Sequence, residues 1–186
     1  MRVRTNSGFT LIELMITIAV VAILLSIATP SFRELLARNE LTTVANSWVG
    51  ALSTARAEAI KRNQSVALCG EDDAPTSGIG SGCTAALAGQ VRYMPRDGGA
   101  AEVLHAALAD SVGQPLEIVS SATVRFRGDG IGYREDNTMT PYNTASGDPS
   151  VVVLCSSALT TDNARRVELI AGSTVQVVRE TRANCP

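Results

Sequence analysis

The chain has 186 residues, of which 45% are hydrophobic and 18% charged, with a formal net charge of −2. This balance excludes a bulk binder of nucleic acid, because affinity for a phosphate backbone is built from clustered Lys and Arg. Aromatic residues are only 4% of the chain, so any core must consist mainly of Val, Leu, Ile and Ala.

The N-terminus is a short polar stretch with Arg2 and Arg4 that ends at Gly8. A long apolar run begins at Phe9 and carries one acid, Glu13. Residues 14–32 hold no charge, and this run approaches the roughly 20 residues that a helix needs to cross a hydrocarbon core. Basic residues ahead of the run place that end in the cytoplasm. A cleaved secretory signal fits poorly, because the run is too long and lacks a clean small-x-small site. An ordinary anchor fits better but leaves Glu13 unexplained. A carboxylate toward the bilayer centre costs about 2.5 to 3.5 kcal/mol, so an acid there usually has a partner. The plain alternative is that Glu13, so near the start, snorkels to the interface.

Beyond the apolar run, Leu41, Val44, Ala45, Trp48, Leu52, Ala55 and Ala59 recur at spacings of three and four. That pattern predicts a helix with one apolar face. Lys61 and Arg62 suit a helix C-terminus, and Asn63 can cap it. A helix from Phe9 to Arg62 would be about 80 Å long at 1.5 Å per residue. Pro30 lies within it and is expected to kink or loosen it, since its ring removes a backbone hydrogen bond.

Short β-rich runs follow at 65–69, 90–94, 116–119, 123–127, 151–155, 165–170 and 174–179. Val167 and Leu169 alternate with Arg166 and Glu168, as in a strand with one buried face. Ala171-Gly172 reads as a tight hairpin turn, and Gly128-Asp129-Gly130 ends another strand. The expected fold class is α+β, with a long N-terminal helix packed on an antiparallel β head. Segments 70–82 and 128–148 are rich in Gly, Ser, Asp, Asn and Pro and read as surface loops. Cys69, Cys83, Cys155 and Cys185 all follow the apolar run. In an oxidising periplasm they imply two disulfides rather than free thiols or a zinc site. Three connectivities are open; Cys69 with Cys83 would staple the loop they flank, and Cys155 with Cys185 would fasten the C-terminus.

No catalytic constellation stands out. The lone His105 lies in an Ala- and Leu-rich stretch and reads as structural. Gly78 to Gly82 is glycine-rich but neither follows a strand nor opens a helix, as a nucleotide-binding loop must. The acids around Asp129, Glu135, Asp136 and Asp148 lack calcium-loop spacing and read as solvated loop. The expectation is a protein that is not an enzyme and has neither metal nor cofactor.

Gly8-Phe9-Thr10-Leu11 with Glu13 resembles the class III signal of type IV pilins and pseudopilins, G|FTLxE, with all positions in register. The resemblance implies that prepilin peptidase cuts between Gly8 and Phe9 and that Phe9 is N-methylated. It also implies that Glu13 pairs with the methylated amine of a neighbouring subunit during assembly. Pilins generally carry a proline where Pro30 stands. Loss of the leader removes two arginines and no acid, so the mature chain is more acidic still. Residues 52–69 are similar to the helix end and first strand of the GspH/FimT domain, whose usual ARSEAIKRN appears here as ARAEAIKRN at 55–63. FRGDGIG at 126–132 matches that family's F-x-x-x-G strand end more loosely. Two disulfides in the head resemble the FimU-type minor pilins.

The implied organisation is a leader at 1–8, a transmembrane and filament-core helix at 9–32, its amphipathic continuation at 33–63, and a periplasmic head at 64–186. The resemblance implies a minor pilin of the type IV pilus, held in the inner membrane and then at the pilus tip, with other minor pilins, the major pilin and prepilin peptidase as partners. One alternative is a FimT-like DNA-binding module for natural transformation. Those proteins bind through a basic G-R-x-R pattern, for which Arg165, Arg166, Arg179 and Arg182 are the candidates here. The pattern itself is lacking, and the plainer reading of Arg165 and Arg166 is an exposed strand face. The other alternative is a type II secretion pseudopilin.

Overall fold

The computed structural model describes residues 9–70, 82–93, 95, 99–134, 140–142 and 147–185. One helix, α1 (Leu11–Arg62), opens the chain. Thr10 caps its start: the Thr10 hydroxyl accepts a hydrogen bond from the Glu13 amide at 3.3 Å, the geometry of an N-cap oxygen satisfying the third helical N–H. Its end is a Schellman motif. Gln64 N–H donates to the Ala59 carbonyl and Asn63 N–H to that of Ile60, both at 3.1 Å, with Asn63 in the left-handed region at φ 47°. Asparagine tolerates that conformation better than other residues with a side chain. The helix is assigned without a break across Pro30.

The chain divides into two units, Met1–Leu36 and Ala37–Pro186. In the first, Phe9, Leu11, Ile12, Leu14, Met15, Ile16, Ile18 and the apolar residues after them are all exposed. Its hydroxyls bond within the helix: Thr17 donates to the Leu14 carbonyl at 2.8 Å, Ser26 to that of Ile23 at 2.7 Å and Thr29 to that of Leu25 at 2.6 Å. A helix meant for hydrocarbon must satisfy its polar groups internally in this way.

The second unit folds around the other half of α1. Leu41, Val44, Ala45, Trp48, Leu52, Ala55 and Ala59, the residues of the sequence periodicity, are all buried there, together with Ala37 and Ala51. They form one cluster with Val66, Leu68, Val91, Val124, Phe126, Val152, Leu154, Val167 and Leu169. The alanines let the helix approach the strands closely, and the scarce large residues, Trp48, Phe126 and Tyr142, fill the centre.

The strands are β1 (Val66–Leu68), β2 (Val91–Tyr93), β3 (Glu102–His105), β4 (Leu116–Ser121), β5 (Val124–Phe126), β6 (Gly132–Arg134), β7 (Ser150–Ser156), β8 (Ala164–Ile170) and β9 (Thr174–Glu180). They make two antiparallel sheets, ordered β3-β2-β1-β5-β6 and β4-β7-β8-β9. The fold is α+β.

Two expectations are corrected. The segment after Gly128 is not simply a surface loop. It contains β6, and Tyr142 within it is fully buried. The Tyr142 hydroxyl donates to the Thr123 carbonyl at 3.3 Å, and Arg134 stacks on its ring at 4.6 Å. The segment's polar composition masked this single aromatic anchor. Nor do Arg165 and Arg166 form an exposed strand face: Arg165 is only 4% exposed and Arg166 half-buried. β3 was also missed, because an exposed edge strand carrying Glu102 and His105 has no apolar alternation to betray it. Segment 71–81, predicted to be a loop, lies outside the described residues.

Candidate functional site

Three places concentrate the residues singled out by sequence. The first is the start of α1. Gly8 lies outside the described residues. Phe9 is 83% exposed, and Glu13 stands in the first turn, where a negative charge suits the helix dipole. Thr10-x-x-Glu13 also has the spacing of a capping box, a local role for the acid that the sequence pattern contained and that the reading of Glu13 as a charge partner passed over.

The second place is the C-terminal end of α1, where the two family-like stretches meet. A Cβ built on Gly128 would lie 2.4 Å from the Asn63 Oδ1 and 3.0 Å from its Cα. The ARAEAIKRN helix end and the FRGDGIG turn are therefore packed against each other at van der Waals limits. Around them Arg56 donates to the Ser173 carbonyl at 2.8 Å, tying the helix to the β8–β9 turn. Arg62 links Glu58 at 2.9 Å and Glu102 at 2.7 Å and lies 4.5 Å over the Tyr93 ring. Arg62 and Lys61 hold the Glu58 carboxyl below the usual carboxylate range, and the hydrogen bonds that Arg62 donates to Glu102 and Glu58 push its guanidinium up. These partly exposed ion pairs orient β3 on the helix end more than they stabilise it. Gly128→Ala should therefore cost about 1 to 3 kcal/mol by overpacking backbone against backbone, read as a lower melting temperature. An unchanged melt would mean that the turn moves freely away from Asn63.

The third place is the β8–β9 hairpin with its four candidate arginines, and the structure separates them. Arg166, Glu168 and Glu180 share one face: the Arg166 Nε is 3.2 Å from Glu168 and 3.5 Å from Glu180. Arg182 pairs with Glu180 at 3.0 Å. Arg165 and Arg179 stand directly opposite each other in register on the other face, beside Val167 and Val177. Burial and the nearby Arg179 both lower the pKa of Arg165.

The remaining candidates have structural roles. Cys69 joins Cys83 with Cα atoms 5.3 Å apart, and Cys155 joins Cys185 at 5.7 Å. His105 of β3 pairs with Val91 of β2, its Nδ1 being 2.8 Å from the Ala106 carbonyl. Asp129 accepts from the Ile131 amide at 2.9 Å and Asp148 from the Ser150 amide at 3.0 Å, both shaping turns. Burial acts to raise the pKa of Asp148, but its Ser150 hydrogen bonds and the nearby Arg166 and Arg134 outweigh that and lower it. Glu135 and Asp136 lie outside the described residues. Among the described residues no group of three or more His, Cys, Asp or Glu could hold a metal ion.

An exposed apolar N-terminal helix whose continuation forms the spine of an α+β head is the architecture of a type IV pilin-like protein. Residues 44–174 match the family described as type II transport protein GspH, and residues 3–29 match the prokaryotic N-terminal methylation motif. The chain belongs to this GspH family of pilin-like proteins. Two fimbrial proteins of Pseudomonas aeruginosa are each 43% identical over 63 residues, 34% of this chain and 40% of theirs. The chain thus spans about two fifths of the length of the curated relatives it matches. No solved structure matches.

Proposed function

We propose that the chain is a minor pilin of a type IV pilus, acting in the priming complex and at the pilus tip. The observation that carries this reading is the methylation motif over residues 3–29 leading into a helix unit whose apolar side chains are exposed among the described residues. Such a helix needs lipid before assembly and other helices after it. In this reading prepilin peptidase cuts after Gly8, Phe9 is methylated, and Glu13 pairs with the new amine of a neighbouring pilin. Pro30 would bend the helix where it leaves the bilayer, and the head would remain in the periplasm or on the filament with its two disulfides oxidised. The role is structural, with the peptidase acting on the chain.

An immunoblot of sheared surface filaments, normalised to membrane-retained protein, tests the proposal. Processed protein at low stoichiometry in the filaments is the expected result. Processed protein confined to the membrane would favour a secretion pseudopilin instead. The reading as a DNA-binding module has less support, because the four candidate arginines lie on two faces and two of them are paired with glutamates.

A further inference from the structure

The two disulfides differ in what a reagent can reach. Cys69 and Cys83 are both buried, at 0% and 5% exposure. Cys155 is buried too, but its partner Cys185 is only half-buried, in a stretch without regular structure where Ala183 and Asn184 are exposed. Exchange requires a thiolate to reach one of the two sulfurs, so access decides which bridge reacts first.

Cys185 also closes a clasp on the turn between β7 and β8. The Asn163 side chain, 4% exposed, takes both backbone groups of Arg182. Its Nδ2 donates to the Arg182 carbonyl at 3.0 Å, and its Oδ1 accepts from the Arg182 amide at 2.8 Å. Beside it the Thr181 hydroxyl accepts from the Asp162 amide at 3.0 Å. Asp162 is left-handed at φ 49°, a conformation that costs a residue with a side chain and persists where its surroundings hold it. On its other side the Asp162 carboxylate lies 3.6 Å from Arg38 of α1, and Leu159 of the same turn is buried in the core. These three hydrogen bonds all come from Thr181 and Arg182, and the bridge at Cys185 is the covalent bond that keeps those two residues in place.

We propose that Cys155–Cys185 is a redox-sensitive clasp: a dithiol opens it while Cys69–Cys83 stays closed, and opening frees residues 181–185 and loosens the β7–β8 turn beside Arg38. A thiolate of the dithiol attacks the Cys185 sulfur; the S–S bond breaks, and Cys155 leaves as a thiolate and takes a proton. The second thiol of the reagent then resolves the mixed disulfide and releases Cys185 as a thiol. Two electrons and two protons pass to the cysteines, and the dithiol ends as a disulfide. Oxidation runs the sequence backwards, so the turn tightens in an oxidising compartment. That compartment rests on the filament reading above; the exchange chemistry does not.

The test uses the full-length protein, oxidised and held in detergent. Brief treatment with dithiothreitol without denaturant, then alkylation and peptide mass spectrometry, reads each cysteine. Cys155 and Cys185 should be labelled about tenfold faster than Cys69 and Cys83. In the partly reduced protein, amide hydrogen exchange should rise about tenfold at 157–164 and 181–185. It should stay unchanged in β1 and β2, and fall back on reoxidation. Equal labelling of the two bridges, or earlier labelling of Cys69 and Cys83, would overturn the proposal. So would selective opening that leaves exchange at 157–164 as in the oxidised protein, since the bridge would then be a passive staple. A rise that extends to β1 and β2 would also overturn it, because the whole head would be unfolding. All of these outcomes are read on the purified chain and leave the filament reading to its own test.

Discussion

Glu13→Ala should leave the protein inserted in the membrane and cut its share of sheared filaments by at least about tenfold, since losing one partner of a desolvated charge pair costs about 3 to 5 kcal/mol. The apolar residues that drive insertion are untouched by this change. What it removes is the one acid in a segment otherwise free of charge until Arg33. Position 13 has a competing local role, because the Thr10 hydroxyl already receives its amide at 3.3 Å and Thr10-x-x-Glu13 has capping-box spacing. Glu13→Gln separates the two. A glutamine preserves the cap and the volume but carries no charge, so a filament defect matching that of the alanine variant assigns the role to charge. Normal incorporation of Glu13→Ala would remove the residue from the assembly mechanism altogether.

The second large effect concerns the disulfides. Reducing both should lower the melting temperature of the protein by roughly 10 °C or more, taking about 2 to 4 kcal/mol for each bridge and about 2 to 4 °C per kcal/mol for a domain of this size. The two bridges close loops of unequal length, with sequence separations of 14 and 30 residues. Removing Cys155–Cys185 should therefore cost slightly more on loop-closure entropy. It also frees the tail that holds Arg182 near Asn163, where the Arg182 amide donates to the Asn163 Oδ1 at 2.8 Å. Paired Cys→Ala substitutions, melted one bridge at a time, measure the difference. Identical melting curves with and without reductant would mean that neither bridge constrains the head.

How far the sequence could be read depended on whether a feature is local. The α1 stripe was legible because helical periodicity is a property of neighbours in the chain, and every residue of it from Leu41 to Ala59 is buried. The seven strand runs noticed in the sequence all correspond to strands within a few residues. The Ala171-Gly172 turn was legible too: both residues have positive φ, 50° and 66°, and glycine is the residue that adopts this without strain. β3 and β6 were not legible. Each is held by its pairing partner, β2 and β5 respectively, and not by its own composition. Tyr142 was hidden for the same reason, since its burial comes from Gly132, Thr123 and Arg134 rather than from its neighbours in sequence.

The sequence by itself determined the membrane-length apolar run, the N-terminal methylation motif over residues 3–29, the helical spine and the class of the head. All of these are written in composition and in short-range spacing, where the physics acts between residues adjacent in the chain. Only the tertiary structure decided that the strands form two sheets and that Gly128 rests on Asn63. It alone decided that Arg165 and Arg179 oppose each other while Arg166 and Arg182 are neutralised. Strand register makes that last distinction. In a structure of period two, residues adjacent in sequence lie on opposite faces, so four arginines that look like one basic region become two surfaces of opposite character.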